Sequence, residues 1–223
     1  MENLNYEELF HLQDKTLDII FEDSTEFYLT GGTCLNRFYY NKRYSDDLDL
    51  FTNFSNTFHF TIKNIFSRMK AGNLEYDIQI ESKDFVRIII KKRLQVDFIN
   101  DRVVRFGKIN SKNNYHLDNI LNILSNKITA VLSRENAKDI FDIYIISLNK
   151  KFSWELILEQ AQKKMAFQKE DLVFKLETFP AELLTNIKLI DVGILDNFAN
   201  NYQIIMDDLL KEKNNSLAGF TSK

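Results

Sequence analysis

The chain is poor in the residues that break regular structure. Among 223 residues it has one proline and six glycines. That scarcity excludes a proline-rich or glycine-rich linker architecture and favours long regular elements. There is one cysteine, Cys34, so no internal disulfide can form, which suits a reducing compartment. No apolar run reaches the length needed to span a bilayer, and Met1-Glu2-Asn3-Leu4 lacks the charged-then-apolar layout of a signal peptide. The expectation is a cytoplasmic protein with no membrane association. Positive charge is not in excess either: the formal net charge is −3, so no global field draws in nucleic acid, and an RNA partner has to be held by a local basic patch. The three histidines, His11, His59 and His116, are too scattered to suggest a zinc site.

What is present is an ordinary apolar fraction, 44%, with 19 phenylalanines, enough for a sizeable core. Apolar residues at helical spacing mark a helix over 6–21, and 27–30 is a short β-prone run. Cys34, Leu35, Phe38 and Tyr39 suit a short helix. A helix over 58–69 ends at Ala71-Gly72-Asn73. Runs at 74–80, 85–90 and 94–100 are β-rich and separated by short polar turns, the pattern of an antiparallel meander. The polar stretch Asn110 to Asn114 reads as a domain boundary, with no strand expected after it. Helical spacing then covers Leu117 to Leu132 and Ile140 to Leu148. Ser153 reads as an N-cap for a helix running to about 167. A further helix is expected over 171–178, Pro180 opens the next as its first residue, and a last helix carries Phe198 to Leu209, before a frayed tail at 214–223. The pattern predicts an α/β domain over 1–113 and a helical bundle over 114–223.

Chemistry concentrates in Gly31-Gly32-Thr33 and Ser45-Asp46-Asp47-Leu48-Asp49-Leu50-Phe51. Leu48 and Leu50 alternate with Asp47 and Asp49, so an extended strand buries the leucines and presents both carboxylates side by side on the other face. Two such carboxylates repel unless a cation or water screens them, and a hard divalent metal suits all-oxygen ligands. The paired glycines let backbone approach a phosphate, and the helix that follows offers N–H groups to an anion. Asp97, between Val96 and Phe98, adds a third strand-borne carboxylate. Each element also has a plainer reading. The Asp pair can be a solvated edge, the glycines a simple turn, and Asp97 a partner for a base such as Arg102. Thr33 either caps the helix or touches phosphate, and Ser45 either reaches a phosphate or holds its loop in a turn. Cys34 reads as a small packed residue, and Lys91-Lys92-Arg93 as a plain turn.

Gly31-Gly32-Thr33-Cys34-Leu35 followed by Arg43-Tyr44-Ser45-Asp46-Asp47-Leu48-Asp49-Leu50-Phe51 resembles the signature of the AbiEii/AbiGii toxin family, nucleotidyltransferase-like proteins of abortive-infection and toxin–antitoxin systems. Gln95-Val96-Asp97-Phe98-Ile99 looks like its third-carboxylate strand. Lys127-Ile128-Thr129-Ala130, Arg134 and Lys138 to Tyr144 look like its helical motif. The resemblance implies an α+β architecture: a nucleotidyltransferase-fold mixed sheet with flanking helices, then a helical bundle. It implies Mg²⁺ (or Mn²⁺) on Asp47, Asp49 and Asp97, with these three catalytic. It implies an NTP positioned by Gly31, Gly32, Thr33, Ser45, Lys127, Arg134 and Asp139. Lys127 is otherwise a surface lysine. Asp139 either does chemistry or fixes Lys127 or Arg134, and Lys138 and Asp142 have the spacing of an i,i+4 pair. The expected reaction is transfer of a nucleoside monophosphate to an acceptor hydroxyl. The acceptor is RNA such as tRNA, with a cognate antitoxin as partner. The alternatives are a small-molecule acceptor such as an aminoglycoside, or a nucleotide- or RNA-binding module without catalysis.

Overall fold

The computed structural model describes residues 5–218. The N-terminal Met1-Glu2-Asn3-Leu4 and the last part of the tail lie outside the described residues. The chain divides into two compact units, residues 1–34 with 45–119, and residues 35–44 with 120–223.

The first unit is built on a seven-stranded mixed sheet of order β3-β4-β5-β2-β1-β7-β6. Its strands are β1 (Tyr28–Thr30), β2 (Asp47–Asn53), β3 (Tyr76–Ser82), β4 (Phe85–Ile90), β5 (Leu94–Asp101), β6 (Asn110–Lys112) and β7 (Tyr115–Leu117). β3, β4 and β5 form the expected antiparallel meander. β2 runs parallel to β5 and antiparallel to β1, which makes the sheet mixed. Helices α1 (Tyr6–Phe21) and α3 (Phe58–Ala71) pack against each other, with Leu9, Leu17, Ile20, Ile62, Ile65 and Met69 essentially sealed from solvent. Burial alternates along β2: Leu48 and Leu50 are fully buried, while Asp47 and Asp49 are half-buried. A fully buried leucine is worth about 1.5–3 kcal/mol, and a one-residue slip of register would exchange it for an aspartate. The leucines therefore fix the face on which the carboxylates stand.

Two expectations change in this unit. The polar stretch at 110–114 is a hairpin, not a linker: β6 and β7 pair antiparallel, and β7 joins β1 in parallel through Leu29 and Leu117. Asn113 and Asn114 turn the chain with φ of 51° and 66°, the left-handed region that asparagine tolerates well. The unit therefore runs to residue 119 rather than 113. The glycine turn forms a one-turn helix, α2 (Gly31–Thr33), which continues as a π-helical segment, Cys34–Tyr40.

The second unit is helical: α4 (Ile120–Ser133), α5 (Ala137–Asn149), α6 (Trp154–Lys164), α7 (Lys169–Glu177) and α8 (Phe198–Leu210), with two 3₁₀ turns, Ala181–Asn186 and Val192–Leu195. α4 packs on α5, α6 and α7, and α8 on α5, α6 and α7. Ser153 caps α6, its Oγ accepting from Leu156 N–H at 3.5 Å. Pro180 stands just before the first 3₁₀ turn rather than inside a helix. The described part of the tail is tied down rather than frayed. Asn214 bridges Ser153, Asn215 Nδ2 donates to the carbonyls of Ser147 and Lys150 at 2.7 Å each, and Ser216 bonds to Asp208. Among the described residues no helix is long and apolar enough to cross a membrane.

Candidate active site

The site grows out of the β1–β2–β5 pairings. Thr30 stands opposite Asp49 in the antiparallel β1–β2 pair, so the chain leaves β1 directly beside that carboxylate. Gly31 then takes φ +69°, a conformation glycine adopts without steric cost. A Cβ at Gly31 would stand 2.5 Å from Asp49 Oδ2, so any larger residue would push into the carboxylate. Thr33 is fully buried and its Oγ1 donates to the carbonyl of Asp47 at 2.5 Å. Its hydroxyl thus pins the glycine turn to the acidic strand, a use neither expectation for Thr33 anticipated. Ser45 is buried where the loop enters β2, and its carbonyl accepts from Gln13 Nε2 of α1 at 3.0 Å.

β5 brings in the third carboxylate. In the parallel β2–β5 register Asp49 pairs with Asp97, and Asp47 with Gln95. Asp47, Asp49 and Asp97 therefore share one face of the sheet, as the alternation predicts. The structure adds a residue that the sequence reading did not single out. Arg87 of β4 stands opposite Asp97, and its Nε and Nη2 donate to Asp97 Oδ1 and Oδ2 at 2.7 Å each. The partner of Asp97 is thus Arg87 rather than Arg102, which pairs with Asp84 instead. Hydrogen bonding to Asp97, reinforced by the charges of Asp97, Asp49 and Asp47, holds the Arg87 guanidinium above its ordinary pKa. Among the described residues no three His, Cys, Asp or Glu side chains form a ready metal-holding cluster. Asp47 and Asp49 supply the hard oxygen donors that fit a divalent ion.

Asp118 and Arg105, also missed from sequence, support the turn from the other side. Asp118 is fully buried after β7. Its Oδ2 accepts from Thr30 Oγ1 at 2.7 Å, and its Oδ1 from Arg105 Nε at 3.1 Å. Arg105 in turn lies over the Tyr28 ring, 4.9 Å from its centroid. Cys34 is buried, and its Sγ–H points at the Asp118 carbonyl. Burial, and then the nearby Asp118 charge, push its thiol well above the usual range, so it is an inert packed residue.

The remaining motif residues lie in the helical unit and form one ion network. Lys127 Nζ of α4 reaches Asp139 Oδ1 at 2.8 Å and Asp142 Oδ2 at 2.7 Å on α5. Arg134 Nε donates to Asp139 Oδ2 at 2.7 Å. Arg43 makes a two-pronged pair with Asp142, through Nε at 2.8 Å and Nη2 at 2.7 Å. Asn36 Nδ2 also donates to Asp142 Oδ1, at 3.2 Å. Lys127 is buried rather than a surface lysine, and Arg134 is the exposed member. Burial alone would lower the Lys127 pKa, but the Asp142 and Asp139 charges reverse this and hold it above its ordinary value. Burial likewise opposes ionisation of Asp139 and Asp142. Lys127 and Arg134 overcome it for Asp139, Arg43 and Lys127 for Asp142, and both carboxyls stay below their usual range.

Solved structures share this fold. JHP933 of Helicobacter pylori is 19% identical, with a TM-score of 0.59 over 94% of this chain and 95% of that one. MenT4, a nucleotidyltransferase toxin of Mycobacterium tuberculosis, is 13% identical, with a TM-score of 0.61 over 91% and 84%. No curated protein is significantly similar to the chain. The model of the nucleotidyl transferase AbiEii toxin family, of type IV toxin–antitoxin systems, matches residues 18–218. That span takes in the glycine turn, the acidic row and the helical ion network together, and the chain therefore belongs to the AbiEii family of nucleotidyltransferase toxins.

Proposed function

We propose that this nucleotidyltransferase is Mg²⁺-dependent and moves a nucleoside monophosphate from an NTP to an acceptor hydroxyl of RNA, tRNA foremost, releasing pyrophosphate. The observation that carries the reading is the placing of Asp47 and Asp49 on one face of β2, against a turn whose Gly31 takes φ +69° and packs directly on the Asp49 carboxylate. Asp47 and Asp49 hold the ion. Mg²⁺ bound there would neutralise charge on the phosphates and help activate the attacking oxygen. Gly31 is the half-buried glycine of the turn and the one whose backbone would approach a phosphate, whereas Gly32 is buried and shapes the turn. Thr33 and Gln13 fix the two segments that flank it, and Ser45 opens the loop into β2. Asp97 completes the acidic face beside Asp49. Within the helical unit, Lys127 is taken up by Asp139 and Asp142 and braces the fold, and the exposed Arg134 is the cation that would meet an anionic group. The toxin role implies a cognate antitoxin.

The net charge of −3 favours a second reading, in which the acceptor is a small cation-rich molecule such as an aminoglycoside. Assaying total tRNA and an aminoglycoside panel side by side, with each α-labelled NTP and Mg²⁺, separates the two. The proposal expects label on tRNA. Label on the small acceptors alone transfers the reading to the second class. Metal-dependent NTP binding without label on either would leave a binding module. Expression should inhibit growth, and Asp49→Ala should relieve it; equal toxicity from the variant would count against the toxin role.

A further inference from the structure

The acidic row contains its own cation. Arg87, Asp97 and Asp49 are neighbours across β4, β5 and β2, so they share one face and one row of the sheet. The guanidinium meets Asp97 fork to fork, with both contacts at 2.7 Å, and Gln95 Nε2 adds a third donor to Asp97 Oδ2 at 3.2 Å. The two arginine N–H groups and the Gln95 amide take three of the roughly four lone-pair sites of the carboxylate, so a metal would have to compete for what is left on Oδ1. Asp97 is only 7% exposed, so little space is left for it to turn elsewhere. Charge points the same way. Three carboxylates and one guanidinium sum to −2, which one divalent ion neutralises; without the guanidinium the row carries one more negative charge.

We infer that Arg87 is a positioning residue that stands in for a second metal: it holds the Asp97 carboxylate and keeps it from ligating, so the ligand-free protein takes a single divalent ion, on Asp47 and Asp49. The inference rests on the reading of Asp47 and Asp49 as the metal pair. It changes what Asp97 does. That carboxylate acts with its arginine, as a fixed pair beside Asp49, until something displaces the guanidinium. It also separates Arg87 from a purely structural ion pair, because removing a structural pair would lower stability and leave the metal count alone.

The test is titration of the full-length protein with Mn²⁺ alone, without nucleotide, read by calorimetry and by the electron paramagnetic resonance of free Mn²⁺. The expected count is one ion for the natural protein. Two are expected for Arg87→Gln and Arg87→Met, which lose both the fork and its charge. Asp47→Asn should weaken the first site at least tenfold. Two ions on the natural protein, or one on both neutral variants, overturns the inference while the metal pair stands. Unchanged binding in Asp47→Asn overturns the metal pair itself, so the two failures are told apart. Should one neutral variant fail to fold, the other carries the count.

Discussion

The two units hold their charges in opposite ways. In the helical unit, three cations (Arg43, Lys127 and Arg134) enclose two carboxylates, and every one of the contacts named is 2.8 Å or less. Arg43, Asp139 and Asp142 are buried within it. In the sheet unit, two half-buried carboxylates, Asp47 and Asp49, share a face with the buried Asp97 and its one arginine. The first cluster is closed by its own residues and reads as a brace with one exposed arginine. The second sets two of its three carboxylates, Asp47 and Asp49, where solvent reaches them, and pairs the third with Arg87. Burial sets the difference. A desolvated carboxylate must be neutralised within the fold, whereas one facing solvent can wait for a ligand.

The sharpest break of this comparison is in the sheet unit. Asp47→Asn or Asp49→Asn should cut nucleotide transfer by at least about 10³-fold, roughly 4 kcal/mol of transition-state stabilisation, in single-turnover assays. The melting temperature should hardly move. The helical unit should answer in reverse. Asp142→Ala leaves the buried Arg43 and Lys127 without their shared partner, and breaking a buried pair costs about 3–5 kcal/mol. Thermal unfolding should then fall by roughly 10 °C in a chain of this size. A variant that melts with the natural protein would show that the brace is not one. Gly31→Ala should affect both properties modestly. The left-handed backbone costs a non-glycine residue about 1–2 kcal/mol, and the new methyl presses on Asp49. Transfer should fall by one to two decades, seen as a loss in kcat/KM.

The smallest effect is in pH. Asp139 and Asp142 have depressed carboxyl pKa values in the fold, so their stabilisation is fully present above the unfolded value near 4 and is lost as pH falls through the folded values. Lys127 is raised, so its part is fully present below the unfolded value near 10.4 and is lost as pH rises through the folded one. Melting temperature should be flat between these limits and decline outside them, and Asp142→Asn should flatten the acid limb. An acid limb identical in the variant would remove Asp142 from the account.

The acidic strand was legible because alternation is local: Leu48 and Leu50 state which face Asp47 and Asp49 occupy. The helices of the second unit were legible for the same reason, apart from their ends. Arg87 was not, since what makes it face Asp97 is the register of two strands, and neither residue's neighbours in sequence carry that information. Arg43 and Asp142 are 99 residues apart in the chain and meet only in the fold. The β6–β7 hairpin was hidden by its length, since three-residue strands carry almost no pattern. Its Asn113-Asn114 turn was the available signal, a pair of residues that accept positive φ.

The most direct test of the central claim follows two labels at once. The protein is given an NTP carrying one isotope at the α-phosphate and another at the γ-phosphate, with Mg²⁺ and the RNA acceptor. The account predicts that the α label moves to RNA while the γ label leaves in pyrophosphate, and that both transfers stop in Asp47→Asn/Asp49→Asn. Movement of the γ label to the acceptor, or α-label transfer that survives the double substitution, would contradict it.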